Sequence, residues 1–94
     1  MAEVPDNIFS ATFADRDVER VILSAMMRDR MESSFFLDRL TQQDFYYRIH
    51  NEIYAEIQDT YKRGGDTDYI SIKSLFTNQK RHQDILEELQ DYSY

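Results

Sequence analysis

The sequence contains no cysteine and no tryptophan, a single proline and only two glycines among its 94 residues. Without cysteine the chain has neither disulfides nor thiolate metal sites, so its stability must come from packing. Few prolines and glycines mean few breaks, which favours helices joined by short connections. No apolar run approaches the roughly 20 residues that a membrane-spanning helix needs. The opening MAEVPDNIFSATF also lacks the basic start and apolar stretch of a secretory signal, so we expect a cytoplasmic protein.

Basic residues are scarce as well. The chain has 11 Lys and Arg against 18 Asp and Glu, a formal net charge of -7. A surface that binds nucleic acid strongly must offset phosphate charge with clustered Lys and Arg. The segment from His82 to Tyr94 does the reverse, because it holds several acids and no Lys or Arg. We therefore expect no strong direct nucleic-acid binding.

The strongest periodic pattern lies just before the two adjacent glycines. Apolar and aromatic side chains recur there at three- and four-residue steps, which predicts one face of a helix of about four turns. They are Tyr46, Ile49, Ile53, Ile57, Thr60 and Tyr61. Lys62 and Arg63 suit the negative end of a helix, and Gly64 can adopt the left-handed conformation that ends one.

Shorter patterns predict the remaining helices: one over about 15–28, one around 36–40, a capping box from Thr41 to Asp44, a helix capped by Ser71, and an amphipathic stretch over 85–92. The predicted fold is all-α, a compact bundle of five to six short helices around one long central helix. Residues 1–14 form a partly ordered arm in this prediction, and residues 15–94 form the helical domain. The predicted core residues are Val21, Ile22, Ala25, Phe45, His50, Ile53, Ile57 and Leu75.

Residue patterns that carry chemistry are missing. Gly64 and Gly65 are followed by Asp66 and Asp68, whose charges would repel the phosphates that a P-loop binds, and the later ligands of a calcium loop are absent. His50 and His82 lack partners at metal-ligand spacing, and His50 is expected to be a half-buried packing residue. We predict no catalytic residue, no cofactor and no metal.

Aromatic residues are abundant, with seven tyrosines and six phenylalanines. Some tyrosines fall off the main apolar face of the predicted helices, and tyrosine is enriched at protein interfaces. The predicted partner contacts are Tyr47, Tyr54, Tyr69 and Tyr92.

Three sequence blocks carry a specific resemblance. DFYYRIHNEIY (44–54) resembles the D-F-Y-x-x-x-H-x-x-I-[FY] pattern in the N-terminal domain of DnaB-type replicative DNA helicases. ERVILSAMMRD (19–29) is similar to the first helix of that domain, and YKRGGDTDYISIKSLF (61–76) is similar to a later segment. Order and spacing agree over roughly residues 15–76. Beyond them, the glycine-containing stretch and long helical hairpin of the family are missing or truncated.

The resemblance implies a role without catalysis in this chain. In the family, the N-terminal domain forms the collar of a hexameric helicase ring, aids ring assembly and docks primase or a helicase loader. It implies binding to the primase C-terminal domain or to a loader, and self-association as a homodimer or higher oligomer. ATP-dependent unwinding would belong to the motor domain of a full helicase. The alternative is a stand-alone protein that copies the domain to regulate or inhibit the replication machinery.

Overall fold

Two consecutive helices begin the part of the chain that the structure describes. The computed structural model describes residues 16–90. Helix α1 (Arg16–Arg28) has acids in its first turn, which favour the positive end of a helix, and Asp29 follows its last residue. Asp29 also caps helix α2 (Arg30–Arg39), because its carboxylate accepts the Met31 backbone N–H at 2.9 Å. This one-residue connection folds α2 back onto α1.

The segment between α2 and the next helix is held by the predicted capping box. The Asp44 carboxylate accepts the Thr41 backbone N–H at 2.7 Å, and residues Gln42–Asp44 form a single 3-10 turn. Tyr46 lies after this turn, outside any helix, and is 60% exposed. Its predicted place on the apolar face of the long helix is therefore wrong, because that helix begins two residues later.

Helix α3 (Arg48–Lys62) is the long central helix of the prediction. It packs against α1, the 3-10 turn and both later helices, and it buries Ile53, Tyr54 and Ile57 completely. Gly64 follows with φ at +79°, and its N–H donates to the Tyr61 carbonyl at 3.0 Å. Glycine thus ends the helix as the sequence predicts.

Two shorter helices complete the described region: α4 (Tyr69–Ser74) and α5 (Lys80–Gln90). The N-cap of α4 is Asp68, not the predicted Ser71. Since α4 ends at Ser74, the following turn directs Phe76 inward, and Leu75 remains 42% exposed at the rim. The prediction of Leu75 as a core residue is therefore wrong. The five helices within residues 16–90, with no strand among them, form the predicted all-α bundle.

The core lies where α3 meets α1, α4 and α5, and half-buried side chains of α2 pack against this cluster. Leu23, Met26, Ile72, Leu86 and Leu89 belong to this cluster. Of the predicted core residues, six are buried and Val21 is half-buried; the buried ones are Ile22, Ala25, Phe45, His50, Ile53 and Ile57. The predicted arm, residues 1–14, and Tyr92 lie outside the described residues.

Candidate functional site: a buried acid–histidine contact and a basic groove

A buried polar contact joins α1 to the start of α3. The Glu19 carboxylate accepts the Nδ1 hydrogen of His50 at 2.9 Å, the backbone N–H of Tyr46 at 2.7 Å and that of Tyr47 at 3.4 Å. The carboxylate oxygens act as acceptors here, which assigns the shared hydrogen to the histidine ring. Glu19 is 5% exposed and His50 is 3% exposed. The contact ties the first resembling block to the second.

This arrangement gives His50 a structural role. A general base must reach the proton that it removes, whereas the His50 ring is buried and its Nδ1 is already engaged. The packing role expected for His50 agrees with this placement, although its burial is deeper than half. Glu19 is the residue that sequence reasoning missed, because an acid in the first turn of a helix is explained by the helix dipole alone. The sequence signal that could have indicated the contact is the presence of Glu19 in one family-like block and His50 in the next.

Tyr54 was predicted to contact a partner protein at the surface, but the structure places it in the core. The side chain is fully buried, its hydroxyl donates to the Leu40 carbonyl at 2.8 Å, and its ring stacks on Phe45 with centroids 4.7 Å apart. The prediction of Tyr54 as a partner contact is therefore wrong, since the segment from Leu40 to Phe45 covers a second side of α3. Burial raises the pKa of Tyr54 from 10.0 to about 12.

The structure does not bring the remaining predicted contact residues together. Tyr47 and Tyr69 are both half-buried, but they line two different cavities. Tyr69 lies beside Met27 and Leu89, with the Lys73 ammonium 5.6 Å from its ring centroid. Tyr47 lies beside Arg16, whose guanidinium is 5.4 Å from the ring. Only Tyr47 therefore belongs to a large cavity.

That cavity is a groove at the starts of three helices, with a volume of about 390 Å³. Arg16 and Arg20 come from α1, Arg48 from α3 and Arg81 from α5, and the apolar side chains of Ile49 and Ile85 lie between them. We call this cavity, with Tyr47, the basic groove. A second cavity of about 400 Å³ adjoins it and shares Arg48, Ile49 and Arg81. Four basic side chains thus converge in a chain that is strongly acidic overall.

His82 and Glu52 form the wall of the adjoining cavity. The His82 Nε2 lies 2.5 Å from a Glu52 carboxylate oxygen, and its ring stacks on Phe76 with centroids 4.8 Å apart. The hydrogen bond from His82, together with a weaker contribution from Arg48, lowers the pKa of Glu52. Both partners are therefore held by neighbouring helices rather than left available for chemistry.

A second surface feature is apolar. Met31 is 80% exposed and Phe35 is 47% exposed, and they lie one turn apart on α2, so both side chains share one face. The Arg39 guanidinium lies 3.8 Å from the Phe35 ring centroid. We call Met31 and Phe35 the α2 apolar pair. The two side chains form a small exposed apolar patch on α2.

Among residues 16–90, no group of three or more His, Asp or Glu side chains has the arrangement to hold a metal ion. None of the helices in this range is both long and apolar enough to cross a membrane.

Comparison with known proteins identifies the family. The family model described as the DnaB-like helicase N terminal domain matches residues 12–93, which takes in all five helices and most of the chain. Searches of curated proteins and of solved structures found no match. The matched range extends past the three resembling blocks and includes α5. The chain therefore belongs to the DnaB-like helicase N-terminal domain family.

Proposed function

We propose that this chain is a protein-docking collar domain of a hexameric replicative DNA helicase, which binds primase or a helicase loader and aids ring assembly. The observation that carries the proposal is the family match over residues 12–93. The proposal assigns ATP hydrolysis to a motor domain of the parent helicase and only docking to this chain. It also assigns the domain to the cytoplasm.

The α2 apolar pair supports docking in particular. Apolar side chains exposed to water gain free energy when a partner covers them, and α2 is apolar on the face toward the core as well as on this outer one. We propose the C-terminal domain of primase as the partner at this face. A helicase loader is the alternative partner, and it is titrated in the same way.

Isothermal titration calorimetry tests this proposal. The C-terminal domain of the primase from the same genome is titrated into the 94-residue chain, and we expect saturable heat at high micromolar concentration or below. The double variant M31S/F35S should bind at least about tenfold more weakly, because two apolar anchors are removed. The matched variant M31L/F35L keeps the apolar area and should retain binding. Absence of heat with primase would contradict primase as the partner, and absence of heat with the loader as well would contradict the docking function.

A further inference from the structure

The basic groove concentrates charge of the sign that this chain otherwise lacks. The whole sequence has 11 Lys and Arg against 18 acids, yet four of those 11 line one cavity. They come from three separate helices, so neighbourhood in the sequence does not explain the cluster. An acidic protein with a local basic groove attracts anionic groups to that groove specifically.

Two of the arginines occupy positions that folding does not favour. Arg48 is the first residue of α3 and Arg81 is the second residue of α5, where the helix dipole favours acids. Neither helix has an acid in its first turn, whereas α1 and α2 both do. Residues that oppose local stability are expected where function requires them.

Three arginines of the groove have N–H donors without an acceptor in the described region. The Arg48 side chain is 90% exposed, and within residues 16–90 its hydrogen bond runs from Nε to Glu52. Arg81 is exposed and donates a hydrogen bond to no side chain in that range. Arg20 pairs with Glu88 at 3.1 Å, but its buried Nε has no acceptor within the described region. Guanidinium groups with free donors are suited to bidentate recognition of carboxylates.

The shape and surroundings of the groove favour a peptide over a nucleic acid. Ile49 and Ile85 give it an apolar wall that accepts an apolar side chain, which a phosphate backbone does not offer. Glu88 and Glu52 already pair with Arg20 and Arg48, which leaves the groove suited to one or two carboxylates rather than to the continuous charge of a phosphate backbone. A short segment whose carboxylates alternate with an apolar residue fits both features.

We infer that the basic groove binds an acidic peptide segment of the docked partner protein, with carboxylates on Arg48 and Arg81 and an apolar side chain on Ile49 and Ile85. This inference rests on the proposed docking function for its choice of a protein partner. The basic groove would be an electrostatic docking site in addition to the α2 apolar pair. Binding of the partner protein would then weaken as the salt concentration rises.

Fluorescence anisotropy tests the inference on the full 94-residue chain. The probe is a short fluorescein-labelled peptide of aspartate and glutamate with one central phenylalanine. We expect saturable binding that weakens as salt is raised, and a loss of about tenfold or more in affinity for R48E/R81E. The thermal midpoint of this variant should change little, because glutamate is favoured at both helix starts while the Arg48–Glu52 ion pair is lost. Unchanged probe affinity in R48E/R81E would overturn the inference.

A matched variant separates the groove from net charge. K62E/R63E makes the same charge change at the other end of α3, roughly 20 Å from Arg48. Its affinity for the probe should stay within about twofold of the original. An equal loss in both double variants would refute a groove-specific site, and so would tighter binding of an oligothymidylate or displacement of the peptide by equimolar inorganic phosphate.

Primase binding by the same variants distinguishes the two proposals. If neither primase nor the loader binds the unsubstituted chain while the acidic probe still binds at Arg48 and Arg81, the docking function fails and the groove site stands as a peptide site. If primase binds the unsubstituted chain and R48E/R81E equally well, the docking function stands and the inference is overturned.

Discussion

Removal of the Glu19 carboxylate should destabilise the domain more than any other single change to a polar side chain in the described region. Two of its three contacts are short, to the Tyr46 N–H at 2.7 Å and to His50 Nδ1 at 2.9 Å. A hydrogen bond to a charged group contributes about 1.5 to 3 kcal/mol, so E19A should cost about 3 to 6 kcal/mol. Small domains have unfolding free energies near the low end of about 5 to 15 kcal/mol. E19A should therefore be close to unfolded.

Urea denaturation followed by far-ultraviolet circular dichroism measures this cost. E19Q keeps the shape of the side chain and one acceptor oxygen, so it should lose about half as much as E19A. The control is D84A, because Asp84 and its partner Lys80 are 54% and 87% exposed, and exposed ion pairs contribute about 0 to 1 kcal/mol. A cost below about 1 kcal/mol for E19A would refute the structural role of this contact.

Three further predictions concern other parts of the fold. I53A removes a fully buried side chain of α3 and should cost about 2 to 5 kcal/mol in the free energy of unfolding, measured by urea denaturation; an unchanged midpoint would show that the core face of α3 is assigned wrongly. G64A places a methyl group at a residue with φ +79° and open space around it, so only the left-handed backbone conformation opposes the substitution. Thermal denaturation should show that the free energy of unfolding falls by about 1 to 2 kcal/mol. A rise in that free energy would contradict the left-handed helix end. The pKa of Tyr54 is raised from 10.0 to about 12 in the folded chain, so the unfolded chain loses the hydroxyl proton at a lower pH. The free energy of unfolding should therefore fall as the pH rises from the lower to the higher of these two pKa values, by at most about 3 kcal/mol. Unfolding curves of Y54F across the same pH range should not show this loss.

The helices were predictable because their signals are local. Apolar spacing located α1 and α3, Gly64 located the end of α3, and Thr41 with Asp44 located the 3-10 turn. Each depends on residues within a few turns of one another, so the sequence alone carries the information. The family blocks add order and spacing to this local pattern, and the family match agrees with them.

The errors and omissions arise where distant segments meet. Tyr54 is buried because the segment before α3 covers it, and Leu75 is exposed because α4 ends one residue earlier. Glu19 meets His50 across 31 positions of sequence. The basic groove likewise assembles arginines from α1, α3 and α5, which helical periodicity within one element does not reveal. Tertiary packing decides these features, and a single sequence does not display it.

Amide chemical-shift mapping tests the central claim, protein docking, most directly. The ¹⁵N-labelled chain is titrated with the unlabelled C-terminal domain of primase from the same genome. We predict saturable shifts at surface amides, including those around Met31 and Phe35, while amides of the buried α3 core around Ile53 keep their positions. Spectra that stay unchanged up to high micromolar primase would contradict the account.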